Sequence, residues 1–230
     1  MSEVLLKQIV VITDGQSNVG GNPAIAALYA RQKGITVSAI GIVDDENISE
    51  KEIKAIANNG GGIYDIIYSD KLIKSLTMVT QKSIEMTLSK TINNELRSII
   101  GKSIEELHPA LRTQIIDFIE NLSDTLDLRC VILLDLSGSM CNKLKKAKGS
   151  IKDLLNTFKV RKGKSEIGLI GFPGENGDYT RVVCPFTSNA FDIELSLNNI
   201  KPGGNTPTAP AIERATSLFK KEIFSIRHIV

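Results

Sequence analysis

Apolar runs of strand length constrain this chain more than any other feature of it. Residues 8–13 (QIVVIT), 35–42 (ITVSAIGI) and 128–134 (LRCVILL) lack the polar alternation of a half-solvated strand, and residues 63–68 (IYDIIY) form a further strand of similar length. Such runs need cover on both faces, which a parallel sheet flanked by helices provides. The intervening segments read as those helices. Asn22-Pro23 is an N-cap with proline at the first helical position, and an alanine-rich stretch follows until Gly34. Ser49 and Glu52 have capping-box spacing, and Ile53, Ile56 and Ala57 continue a helix to Gly60. The Gly60-Gly61-Gly62 run is read as a helix stop. The first third of the chain is therefore βαβαβ.

No strand pattern occurs between about Asp70 and Thr125. Leu88, Ile92, Leu96, Ile99 and Ile100 predict one apolar stripe along a helix that Gly101 ends. Pro109 opens another helix, striped by Leu111, Ile115, Ile119 and Leu122. The strand pattern then resumes and ends at Asp135. The next helix places Leu144, Ala147, Ile151, Leu154 and Phe158 inward and Lys143, Lys145, Lys146 and Lys148 outward. Residues 167–172 and 180–186 flank a Pro/Gly/Asn-rich turn and read as a hairpin. A loop, KPGGNTPTAPAI, leads into a last helix. The expected fold is α/β with a doubly wound, mostly parallel sheet. The strands ending at Asp135 and Asp14 should be central neighbours, their carboxyl ends framing a ligand crevice.

Composition narrows the function. Hydrophobic residues make up 42% and charged residues 23%, as in globular proteins. A net charge of +2, no tryptophan and few aromatics disfavour nucleic-acid and membrane-surface binding. No segment has the length of a membrane span or the layout of a signal peptide, and the chain is expected in the cytoplasm. Cys130, Cys141 and Cys184 make no CxxC, and Cys130 and Cys184 are expected in the core.

In Asp135-Leu136-Ser137-Gly138-Ser139, at a strand-to-helix turn, side chains two apart (Asp135, Ser137 and Ser139) can share one crevice. Carboxylate and hydroxyl oxygens suit a hard cation. Alone, the motif reads equally as caps and turns. Two further segments accompany it: Gly203-Gly204-Asn205-Thr206, and Thr13-Asp14-Gly15 at the end of another apolar strand. Together D-x-S-x-S, G-G-x-T and T-D-G resemble the metal-ion-dependent adhesion site of von Willebrand factor A (VWA) domains, and TPTAPAI resembles bacterial members.

The resemblance implies a divalent cation, Mg²⁺ or Mn²⁺, held by Ser137, Ser139 and Thr206, with Asp135 and Asp14 acting directly or through water. It implies an acidic partner residue, Asp or Glu, completing the coordination. The order is altered, because VWA domains place T-D-G last. Residues 126–230 resemble the first half of such a domain and residues 1–82 the second, with 83–125 as a helical connector. The chain's end, IRHIV, and its start, LKQIVVITDG, read as the two sides of one cut. A circularly permuted domain is the leading expectation; halves of two tandem domains, or halves swapped between two chains, are the others. Stand-alone permuted VWA proteins of endospore-forming bacteria share the pattern, which associates the chain with sporulation.

Catalysis is not expected. Gly163-Lys164-Ser165 lacks the first glycine of a P-loop, since Phe158 stands there. No G-x-S-x-G elbow or nearby histidine supports a serine nucleophile. Metal-assisted phosphoester hydrolysis lacks a recognisable base. The expected function is metal-dependent protein binding by a monomer or swapped homodimer. The alternative is a scaffold or regulatory subunit working through its connector helices, with a purely structural metal.

Overall fold

A computed structural model describes residues 5–43 and 50–219. Its elements in chain order are β1 (Leu5–Thr13), α1 (Pro23–Gln32), β2 (Thr36–Val43), α2 (Glu50–Gly60), β3 (Gly61–Tyr68), α3 (Leu72–Ile100), α4 (Pro109–Thr125), β4 (Asp127–Asp135), α5 (Leu144–Lys159), β5 (Ser165–Phe172), β6 (Arg181–Thr187), α6 (Ala190–Asn198) and α7 (Thr208–Leu218). The strands form one sheet in the order β3-β2-β1-β4-β5-β6. Among the described residues only the β5–β6 pairing is antiparallel. The α/β fold class and the hairpin read from the sequence are thus present.

The runs that lack alternation are buried on both faces. Val10 and Ile12 of β1, with Ile132 and Leu134 of β4, point into a core covered by α3, α4, α5 and α6. Ile9, Val11, Val131 and Leu133 point into a second core under α1, α2 and α7. β1 and β4 are in parallel register from Leu5 opposite Asp127 to Ile12 opposite Leu134. From β1 the chain winds outward through α1 to β2, and from β4 it winds the other way through α5 to β5. The connections diverge between these two strands, so a crevice opens at their carboxyl ends.

Helix signals behave as their chemistry requires. Asn22 caps α1 by accepting from the Ala24 amide. α3 ends at Gly101, whose φ of 70° suits glycine. α3 runs unbroken through residue 82. It is fastened to the sheet by a polar seam: Ser38 donates to Ser83, Thr36 bonds Thr87, and Ser75 donates to Asp65.

Several expectations need correction. The α3 stripe is buried at Leu88 and partly buried at Ile92 and Leu96, but Ile99 is 76% exposed and Ile100 and Leu111 are also exposed. The α3–α4 hairpin outruns the sheet there, so spacing finds no surface to cover the stripe. The lysine face of α5 holds at Lys145 and Lys146, which are exposed. It fails at Lys143, which is buried, and at Lys148, which is half-buried with its ammonium donating to the Ile200 carbonyl. Residues 190–198 are helical, where no helix is expected. Ser49 lies outside the described residues, and the Glu52 carboxylate accepts from the Ser17 amide at 2.8 Å. The segment 226–230 (IRHIV) is likewise outside them. Cys130 and Cys184 are buried, as expected.

Candidate metal centre

The crevice between β1 and β4 gathers three of the expected ligands side by side. Ser139 donates through Oγ to Asp14 Oδ1 at 2.7 Å, and the Ser137 and Ser139 hydroxyls are 3.0 Å apart. Three oxygens from segments 125 residues apart thus form one contiguous cluster. Asp14 is one residue past β1; after β4, Ser137 precedes and Ser139 lies within a short turn, Gly138–Met140, before α5. The parallel β1–β4 pairing makes them neighbours.

Asp135 sits beneath this cluster with 0% exposure. One carboxylate oxygen accepts from the Ser137 amide at 2.8 Å, the other from the Thr13 hydroxyl at 2.5 Å. Burial pushes its pKa up to about 6; the bonds from Thr13 and Ser137 oppose that rise, and the neighbouring Asp14 charge adds to it. Thr13 is the first residue of the T-D-G signal, yet its role as donor to Asp135 is invisible until the strands pair.

Thr206 reaches the same crevice by backbone ties. Its amide donates to Asn18 Oδ1 at 2.9 Å, and its carbonyl accepts from the Ser17 hydroxyl and the Asn18 amide. The glycine before this loop bonds the other wall, Gly203 N donating to the Leu136 carbonyl at 2.6 Å. Gly203 and Gly204 have φ of 152° and 91°, a turn that glycine makes without strain. Thr206 is buried, but among the described residues no hydrogen bond joins its hydroxyl to the other four expected ligands. Thr208, at the start of α7, is buried with a hydroxyl that has no partner. Ser17, Asn18 and Glu52 brace these loops; the sequence carries no signal for Ser17 and Asn18, and its capping-box signal for Glu52 pointed to Ser49 rather than to Ser17.

Lys143 is the main departure from expectation. Its ammonium donates to Asp14 Oδ2 at 2.6 Å, with side-chain exposures of 10% for the lysine and 0% for the aspartate. Two carboxylates and one ammonium therefore share the crevice. The oxygen cluster of Ser137, Ser139 and Asp14, with Asp135 below it and no imidazole or thiolate contributing, fits a hard cation in donor type. Among the described residues no group of three or more His, Cys, Asp or Glu side chains forms an alternative metal cluster. The rim is small and open: Gly138, Ser139, Gly203, Gly204 and Asn205 are exposed.

Comparison with known proteins follows the same division of the chain. Two sequence profiles, each described as von Willebrand factor type A domain, match residues 5–82 and 130–230. The uncharacterized protein YabS of Bacillus subtilis (strain 168) is 36% identical over 221 residues, spanning 94% of this chain and 90% of that protein. The uncharacterized protein YwmC of the same organism is 33% identical over 81 residues, 35% of this chain and 34% of that protein. A crystal structure of an uncharacterized protein from Alicyclobacillus acidocaldarius superposes with a TM-score of 0.87 at 36% identity, covering 96% of this chain and 97% of that one.

Proposed function

Because the chain belongs to the von Willebrand factor type A domain family, we propose that it is a metal-dependent protein-binding module whose cation site is completed by an acidic residue of its partner. The observation that carries this reading is the convergence of Asp14 with Ser137 and Ser139 over the buried Asp135. Ser137, Ser139 and Thr206 would hold a divalent ion, Mg²⁺ foremost and Mn²⁺ as the alternative, with Asp14 and Asp135 acting directly or through water. When bound, such an ion leaves a coordination position for an outside carboxylate. Thr13 and the Ser137 amide orient Asp135, and the glycine-rich rim admits a partner side chain. Binding rather than catalysis is part of the proposal, as is a role in the endospore-forming setting that the resemblance implies.

We further read the chain order as a circular permutation, with β1–α1–β2–α2–β3 as the second half of the domain and α3–α4 leading back to the first. A single sheet built by strands from both sides of α3 and α4 supports this.

Calorimetric titration with Mg²⁺ and Mn²⁺, followed by partner capture with and without EDTA, tests the function. Wild-type protein should take up at least one of the two cations, and both uptake and capture should be lost in Asp135→Ala. Capture indifferent to EDTA and to that substitution would sink the reading. It would favour the connector helices as the working surface. Among the described residues no helix is long and apolar enough to cross a membrane.

A further inference from the structure

Lys143 occupies a position that local rules disfavour. It is the residue immediately before α5, with no side-chain cap there. Serine, threonine, aspartate or asparagine normally stands at such a position, because a short oxygen acceptor satisfies the first helical amides. A cation there also faces the positive end of the helix dipole. Burying an ammonium costs further unless it is paired. Something must offset these terms, and Asp14 is one partner that does so.

The geometry of Asp14 divides its two oxygens. Oδ1 faces Ser139 and the serine cluster, while Oδ2 faces Lys143. An ion taken up on the serine side thus meets a carboxylate already half neutralised from behind. Lys143 need not leave for metal to enter, since the two cations approach different oxygens. It does lower the negative charge that draws the metal in, and it stabilises the two-carboxylate crevice when metal is absent.

We propose that Lys143 is a built-in counter-ion of Asp14, keeping the site assembled without metal and holding its divalent-cation affinity down. This rests on the metal-dependent reading of the same site. The protein would then switch between metal-free and metal-bound forms without unfolding, and its occupancy would follow the ambient cation concentration.

The test is calorimetric titration of Mg²⁺ and Mn²⁺ into the full chain as wild type, Lys143→Gln and Lys143→Arg, together with thermal unfolding in EDTA. Lys143→Gln should bind both cations about tenfold more tightly, the scale of a unit charge acting on a divalent ion across a few ångströms. It should melt at lower temperature in EDTA and gain more from added metal than wild type. Lys143→Arg, which keeps the charge, should stay near wild-type affinity. Unchanged or weaker metal binding by Lys143→Gln, with wild type binding normally, overturns the counter-ion role and leaves the metal reading intact. No uptake by any variant at millimolar cation overturns both. Uptake by Lys143→Gln alone, with none by wild type, overturns the metal-dependent reading of the wild-type protein on which this role rests. Should Lys143→Gln fail to fold, Lys143→Met keeps the packing of the stem without charge and carries the same comparison.

Discussion

Asp135 illustrates how one residue is set by its surroundings. It is fully buried, and each of its oxygens is already bonded, to Thr13 and to the Ser137 amide. Those bonds favour the ionised form, but desolvation outweighs them and raises the pKa from 3.8 to about 6. A carboxyl raised in this way stabilises the fold below its unfolded pKa, and that contribution is lost as pH rises through about 6. In EDTA, wild type should therefore gain stability relative to Asp135→Asn as pH falls from 7.5 to 5, by about 1 kcal/mol. Urea unfolding at the two pH values measures it. A difference independent of pH would mean that Asp135 is not the desolvated carboxylate described. Under the proposed metal reading, protons and the cation would compete for the same group, so cation binding should weaken below about pH 6.

At the scale of elements, α3 is two things in one helix. Its first half lies on the sheet, with Leu72, Leu76, Val79, Ile84 and Leu88 in the core and the hydroxyl seam fixing its register. Its last turn carries Ile99 and Ile100 into solvent. Leu88→Ala should destabilise the protein by about 2–4 kcal/mol through the cavity it leaves. Ile99→Ser should change stability by less than about 0.5 kcal/mol. Denaturant midpoints of the two variants decide this, and a large loss from Ile99→Ser would mean that the distal hairpin is covered in solution. The apolar spacing of α3 was readable from Leu88 to Ile100. Where cover ends was not, because periodicity specifies a face and says nothing about what lies opposite it.

For the molecule as a whole, the pairing of β1 with β4 matters most. It brings Asp14, near the start of the chain, together with Asp135, past its middle, and makes both cores the joint product of the two halves. Unfolding should accordingly be a single cooperative transition, with no separate melting of residues 5–82. In solution the mass should be that of one 25.1 kDa chain across a wide concentration range. Light scattering reports it, and a stable species of twice that mass would indicate halves exchanged between two chains.

The sequence by itself determined the α/β class, most of the element boundaries and the chemical character of the site. Those properties are local: uninterrupted apolar runs, capping residues, turn glycines, and the D-x-S-x-S and T-D-G motifs at strand ends. Only the tertiary structure decided which strands are adjacent, and hence that Ser139 bonds Asp14 while Thr13 bonds Asp135. It also decided the fate of Lys143. On helical spacing this residue belongs to a solvated lysine face. It lies one position before α5, in a turn where the 3.6-residue period has not begun, and a buried carboxylate from the other half of the chain turns it inward.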